Sequence, residues 1–308
     1  MTNYIVATPR YTTNSNGIKT LHKICHTINV NGGRAFLLFI DSNDPQCQKV
    51  VFGDKSFTNP EFNTPPLQPA DVHLINSSYV IYPEVIVDNP IKAKNVIRYF
   101  GNREAYCNGR KINISPRDFL VAHSSRVRDN ANYILFNSEI NPAFNSVGSL
   151  PMRERPFDLT YIGKGYLYGH TATIKNSILI ARDWPADQSQ LAKLLKSTRF
   201  LYTWDSWTST NVEAILCGAM PVFLRYDPWT KEDIDGSELG PLPKLDASTP
   251  NLQFNYTEFC RAKTILENNI KNLTFTWNNR VKKFTELVSR HFENIDAETP
   301  EVAENTSV

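Results

Sequence analysis

The chain has 308 residues, 41% hydrophobic and 21% charged, with 33 Lys and Arg against 31 Asp and Glu. That length accommodates two domains of ordinary size, and the composition excludes a disordered chain or a membrane-spanning bundle. The near-balance of charge gives no global pull toward nucleic acid, so any basic site must be local.

In chain order, residues 4–8 read as an apolar strand that runs into a loop over 9–16. Ile18, Leu21, Ile24, Cys25 and Ile28 then recur at helical spacing after Gly17. Asn31-Gly-Gly33 ends that helix, and 35–40 is a continuous apolar strand. Strand, loop, helix, turn and strand make the βαβ unit of a parallel sheet. The next strand is expected over 78–82. Asn89 as N-cap and Pro90 at the first helical position predict a helix to about Phe100. Short strands are expected over 118–123 and 133–137, and the proline-punctuated stretch 141–157 predicts a linker.

The βαβ grammar then restarts. Strands are expected over 159–162, 177–181, 200–203 and 221–224, with helices over 188–195 and 210–216. An irregular stretch over 226–254 follows, then helices near 257–270 and 278–293, and a polar, frayed tail from Asp296. The expected fold is α/β, with two Rossmann-like βαβ domains facing a cleft. The expected boundaries are 1–150, 151–278, and a final helix and tail over 279–308 that packs back toward the first domain. The five cysteines are scattered with no CxxC pair, which argues against a disulfide framework or zinc knuckle and for a reducing compartment. The opening residues lack the basic and apolar regions of an export signal, so a cytoplasmic location is expected.

In open α/β sheets the ligand sits beyond the carboxyl ends of the strands. The residues that can carry chemistry fall there. Asp205 and Glu213 bracket a loop and a helix opening, with seven residues between them. Thr208, Ser209 and Thr210 open the helix, and a helix N-terminus with free N–H groups favours phosphate. Glu213 lies one turn in, among Ala214, Ile215, Cys217 and Ala219. A carboxylate in that apolar setting needs partners, and ribose hydroxyls would supply them. Asp205 reads either as a turn former or as a contact to a donor sugar. Gly163 and Gly165 flank Lys164 and allow close backbone approach to a ligand. Arg182 reads either as a diphosphate or base contact or as a surface Arg stacked on Trp184. In the first half, Ser15, Asn16 and Gly17 open a helix after a strand, with Asn16 as cap. Glu84 and Asn89 follow a strand, where loop punctuation is the plainer role. His123 ends a strand and is a candidate general base.

Tyr161-Ile-Gly-Lys-Gly165, Arg182-Asp-Trp-Pro185 and Asn211-Val-Glu-Ala-Ile-Leu-Cys-Gly218-Ala-Met-Pro-Val222, with Tyr82-Pro-Glu84 and the segment Asn89–Arg98, resemble the GT-B glycosyltransferases. The likeness is to bacterial retaining enzymes with an acid-x7-acid pattern that build cell-surface polysaccharide such as O-antigen or capsule. The resemblance implies that Glu213 holds the nucleotide ribose, Asp205 contacts the donor sugar, Lys164 pairs with diphosphate, and Thr208 to Thr210 wrap the phosphates. It implies an acceptor-binding domain over 1–150, a donor domain over 151–278, and an acceptor side that includes Ser15, Asn16, Gly17, Glu84 and Asn89. It implies no metal and no cofactor beyond the nucleotide-sugar co-substrate. The implied acceptor is a hydroxyl of a glycan or lipid-linked molecule, and no nucleic-acid partner is expected. The pattern departs from that family in having Asp at the first acid and a single glycine at Gly17. A nucleotide-sugar epimerase on the same fold and a non-catalytic nucleotide-sugar-binding partner are the alternatives. Lys92, Lys94 and Arg98 read either as a solvated helix face or as a basic patch that docks at the inner face of a membrane.

Overall fold

The apolar run after Asn3 forms β1 (Asn3–Thr8), and the periodic segment after Ser15 forms α1 (Asn16–Val30). The strands β2 (Arg34–Ile40), β3 (Val50–Val51), β4 (Ser78–Pro83), β5 (Asn95–Phe100), β6 (Phe119–Ala122) and β7 (Tyr133–Ile134) follow. The computed structural model describes residues 2–41, 43–247 and 255–298. The strands lie in the order β3-β2-β1-β4-β5-β6-β7, parallel throughout except for β3 against β2. The order reverses between β2 and β4 on either side of β1, the kind of switch point beyond which open α/β sheets bind ligands. Both faces of this sheet are covered, so its central strands read as unbroken apolar runs.

The second series is β8 (Phe157–Tyr161), β9 (Ser177–Ile180), α2 (Gln188–Lys196), β10 (Thr198–Thr203), α3 (Ser209–Leu216), β11 (Met220–Phe223), α4 (Lys231–Asp235) and β12 (Leu245–Asp246). Its five strands run parallel in the order β12-β11-β10-β8-β9. Two long helices close the chain, α5 (Tyr256–Phe275) and α6 (Trp277–Glu298). Residues to Asn137 and from Thr276 make one compact unit, and 138–275 make the other. In the first unit α6 lays Trp277, Val281, Phe284, Val288 and Phe292 onto a core with Tyr4, Tyr79 and Phe119. That spacing of three and four is the apolar stripe of a helix packed on a sheet.

Four expectations are corrected. The helix from Asn89 to Phe100 is a turn followed by β5. Asn89 does cap, but it caps a turn: its amide receives the N–H of Ala93 at 2.9 Å and donates to the Ala93 carbonyl at 2.8 Å. The β-branched and aromatic run Val96-Ile97-Arg98-Tyr99-Phe100 is buried, and burial between neighbouring strands overrides the capping signal. Arg98 therefore belongs to no basic patch. Its side chain is 3% exposed and paired with Asp118 at 3.0 Å. Lys94 pairs with Asp296 at 3.0 Å. No described helix is long and apolar enough to cross a membrane.

The stretch 141–157 is not a linker. Phe144 is buried in the second core, and Arg155, 6% exposed, donates to the carbonyls of Leu150, Thr198 and Cys217. The change of unit falls instead at Asn137/Ser138. Finally, α6 runs on through Asp296 to Glu298, where Arg117 and Lys94 both donate to the Asp296 carboxylate. The rest of the expected tail, 299–308, and residues 248–254 of the expected irregular stretch lie outside the described residues.

Candidate functional site

β8 and β10 are parallel neighbours, with Thr203 opposite Tyr161, so the loops that leave their carboxyl ends meet. The Trp204 N–H donates to the Tyr161 carbonyl at 3.0 Å and ties them together. Gly163 sits there with φ of +50°. A Cβ at that position would lie 2.5 Å from the Tyr161 ring and 2.6 Å from Asp205 Oδ2. Only glycine fits both the conformation and the space. Gly165 is pressed against Trp204 in the same way, with an ideal Cβ 2.6 Å from the Trp204 Cβ.

The two glycines bring Lys164 onto Asp205. The Lys164 N–H donates to Asp205 Oδ2 at 2.9 Å, and the Lys164 ammonium stands 3.1 Å from the same oxygen. The ammonium also donates to the Trp207 carbonyl at 3.0 Å. The Asp205 side chain is 1% exposed and that of Lys164 is 27% exposed. Asp205 Oδ1 is buried with no hydrogen-bond partner among the described residues. The Asp205 backbone is held from both directions: its N–H donates to Thr203 Oγ1 at 3.1 Å, and the Asn211 amide donates to its carbonyl at 3.0 Å.

The helix α3 begins immediately after this loop. Thr208 is its N-cap in extended conformation, and the hydroxyl accepts the Thr210 N–H at 3.4 Å. Glu213, 5% exposed, lies one turn inside. Gly218, at φ of +81°, ends the helix and lets the chain turn into β11. Burial raises the pKa of the Tyr161 hydroxyl, as does the Asp205 carboxylate, while hydrogen bonds with Thr210 and Thr208 and the charge of Arg182 act the other way. One ammonium, the first amides of a helix and three hydroxyl residues thus surround the ends of β8 and β10. Donors in that density, with an ammonium paired to Asp205, suit an anion with several oxygens.

Among the expected residues of the second unit, Gly163, Lys164, Gly165, Asp205, Thr208, Ser209, Thr210 and Glu213 are brought to these two loops and the helix they open. Arg182 stands apart on an exposed turn closed by the Ala181–Trp184 bridge, and its charge acts on Tyr161. Tyr161 and Trp207 are further residues at the loop, and Asn211, an N-cap candidate by residue type, leaves that role to Thr208 and braces the loop instead. Asn211 also donates to the Ser206 carbonyl at 3.2 Å, and Trp207 stacks on Trp229 with ring centres 4.3 Å apart. Tyr161 and Asn211 fall within the motifs around Gly163 and Glu213, Trp207 lies between those motifs, and the partners of Tyr161 and Trp207 lie elsewhere in the sequence.

The expected acceptor-side residues all lie in the first unit. Ser15, rather than Asn16, is the N-cap of α1, and it makes no side-chain cap bond. Gly17 is exposed, and a Cβ there would meet nothing within 4 Å. Glu84 and His123 follow the carboxyl ends of β4 and β6, on either side of β5. Glu84, 8% exposed, accepts the Gly101 N–H at 3.0 Å and the Asn102 amide at 3.1 Å. His123 stacks on Phe136 at 4.3 Å, and its Nδ1 lies 3.3 Å from the Tyr99 hydroxyl. Burial raises the pKa of Tyr99, and the charge of Glu84 adds to it.

Burial also raises the Glu84 pKa, against the hydrogen bonds from Gly101 and Asn102. A carboxyl whose folded pKa is raised costs no stability below its unfolded value and costs progressively more as pH climbs through the folded value. Glu84→Gln is therefore expected to match the parent in melting temperature near pH 4 and to exceed it near pH 8. Thermal melts across that range check it, and a parent that gains on the variant with rising pH would reverse the assignment.

No protein-family model matches the chain, and no curated protein sequence matches it. Solved structures similar to it include a glycosyltransferase from Rickettsia africae ESF-5, 9% identical, aligned over 95% of this chain and 99% of its own with a TM-score of 0.48. A glycotransferase of kitacinnamycin is similar at 10% identity over 94% of this chain and 98% of its own, with a TM-score of 0.45. An alpha-glucosyltransferase in complex with UDP is similar at 10% identity over 97% of this chain and 100% of its own, with a TM-score of 0.41.

Proposed function

We propose that this protein is a glycosyltransferase whose second unit binds the nucleotide-sugar donor at the ends of β8 and β10. The observation that carries the reading is the Lys164 ammonium, held 3.0 Å from the Trp207 carbonyl just before the hydroxyl-rich start of α3. In this reading the diphosphate takes Lys164 and the first amides of α3, and Glu213 accepts both ribose hydroxyls. Positive charge at the diphosphate stabilises the leaving group as the bond to the sugar breaks, a role the reading gives to Lys164 and the helix amides rather than to a metal ion. The sugar passes through an oxocarbenium-like state to an acceptor hydroxyl. Resemblance supports an acceptor that is a glycan or lipid-linked molecule of cell-surface polysaccharide assembly, transfer with retained configuration, and an acceptor side that includes Glu84, while His123 is a general-base candidate by residue type alone.

The test is binding of nucleoside diphosphates by calorimetry. Glu213→Ala removes two charge-assisted hydrogen bonds and is expected to weaken affinity by roughly a hundredfold or more. Glu213→Gln keeps the volume and one acceptor, and is expected to fall between that variant and the parent. Affinity unchanged in a folded Glu213→Ala protein refutes the donor-site assignment. Turnover of a nucleotide-sugar to an isomer, with no acceptor present, would favour the epimerase instead.

A further inference from the structure

The Lys164 ammonium and the Asp205 carboxylate differ in what can reach them. Lys164 keeps 27% of its side chain exposed, and Asp205 keeps 1%. A ligand arriving from solvent meets the ammonium and not the carboxylate. They differ in freedom as well. Asp205 is fixed through its N–H to Thr203, through its carbonyl to Asn211, and through Oδ2 to the Lys164 backbone N–H. Lys164 has a four-carbon stem and can swing its charge to a new partner.

We propose that Asp205 is a positioning residue rather than a sugar contact. It holds the Lys164 ammonium in an internally neutralised pair, and a diphosphate binds by taking that ammonium over. This rests on the donor-site reading above and adds its regulation: affinity for the anion is set by an ion-pair exchange within the protein. No bond is made or broken in the exchange. The ammonium leaves one oxygen anion for another, and the Lys164 backbone N–H stays on Asp205 to keep the loop in place. Release of the product diphosphate runs the exchange backwards, with the carboxylate reclaiming the ammonium.

The consequence has an unusual sign. Asp205→Asn keeps an acceptor for the Lys164 N–H but removes the competing charge. It is expected to tighten nucleoside diphosphate binding roughly three- to tenfold, a modest gain because Lys164 is partly solvated. Product inhibition by the diphosphate strengthens by the same factor. The experiment is calorimetry with UDP, ADP, GDP and dTDP on the parent, Asp205→Asn, Lys164→Ala and the double variant. In the Lys164→Ala background the Asp205 substitution is expected to change nothing, because the exchanged charge is gone.

An equal gain in that background would mean simple repulsion between Asp205 and the anion, and would overturn the proposal. Diphosphate affinity that is unchanged or weaker in Asp205→Asn overturns it too, and a loss confined to the intact nucleotide-sugar would restore Asp205 as a sugar contact. Those outcomes leave the donor site standing. A parent that binds none of the four diphosphates removes the donor site and this proposal together. Where Asp205→Asn does not fold, the Lys164 Nζ resonance of the parent in ¹⁵N NMR reads the same exchange. It is expected to shift on saturation with diphosphate, and a signal unmoved in the saturated protein refutes the exchange.

Discussion

Replacing Arg98 with alanine is expected to lower the stability of the first unit by about 3–5 kcal/mol, the range for breaking a buried ion pair by removing one partner. The guanidinium is the hub of two loops. Nε donates to Asp118 at 3.0 Å, one terminal nitrogen donates to the carbonyls of Ile86 and Asp88, and the other to Asn113 at 3.1 Å. Alanine leaves the Asp118 carboxylate buried without its cation and strands three carbonyls near it. The loops involved, after β4 and before β6, also frame Glu84, so diphosphate binding in the second unit should be spared while the first unit melts early. Chemical denaturation followed by probes in each unit checks this. A companion change, Arg98→Met with Asp118→Leu, removes both charges and is expected to recover only the part of the loss that comes from the unpaired Asp118 carboxylate, since the carbonyls of Ile86, Asp88 and Asn113 still lack a donor. If Arg98→Ala costs less than about 1 kcal/mol, the pair behaves as a surface salt bridge and the hub reading is wrong.

Arg98 also marks where the sequence stops being legible. The βαβ grammar of both units could be read from apolar runs, glycine stops and helical spacing, because those signals are local. Asn89-Pro90 carries an equally local signal for a helix start, and it misled. The Asn89 amide closes on Ala93 four residues on, and the following residues enter a sheet whose neighbours, β4 and β6, lie far off in the sequence. Arg98 looked like a surface cation because its partner Asp118 is twenty residues away. The supposed linker fails for the same reason: Arg155 binds carbonyls of Thr198 and Cys217, which nothing near residue 155 announces.

The candidate site divides similarly. The hydroxyl-rich opening of α3, the glycines around Lys164 and the acid inside α3 are patterns within a few residues, and each was readable. The pairing of Lys164 with Asp205 joins two such patterns across 41 residues, through the parallel register of β8 and β10. That register is a property of the sheet and not of either motif. It changes the meaning of Asp205 from an acid at the mouth of a site to a buried counter-ion.

Gly163→Ala tests that geometry directly and is expected to weaken nucleoside diphosphate binding roughly ten- to a hundredfold, the scale of losing one charge-assisted contact. A side chain at φ of +50° meets strain of about 1–2 kcal/mol. The added Cβ would also lie 2.5 Å from the Tyr161 ring and 2.7 Å from the Asp205 Cβ. Neither neighbour is a loose chain end: Tyr161 is buried and the Asp205 backbone is bonded on both sides. Relief must therefore come from the loop itself, which carries Lys164 away from Asp205 and from the start of α3. Overpacking of this kind costs about 1–3 kcal/mol more, a loss confined to the end of β8 rather than to the whole second unit. Far-UV circular dichroism is expected to stay unchanged while calorimetry records the lost affinity. Asp205→Asn and Gly163→Ala thus act on one ion pair with opposite signs, the first by freeing the ammonium in place and the second by displacing it. If both variants weaken binding, placement of the loop is what matters and the charge of Asp205 is incidental. If Gly163→Ala binds as the parent does and melts at the same temperature, the close approach at residue 163 is not what fixes Lys164.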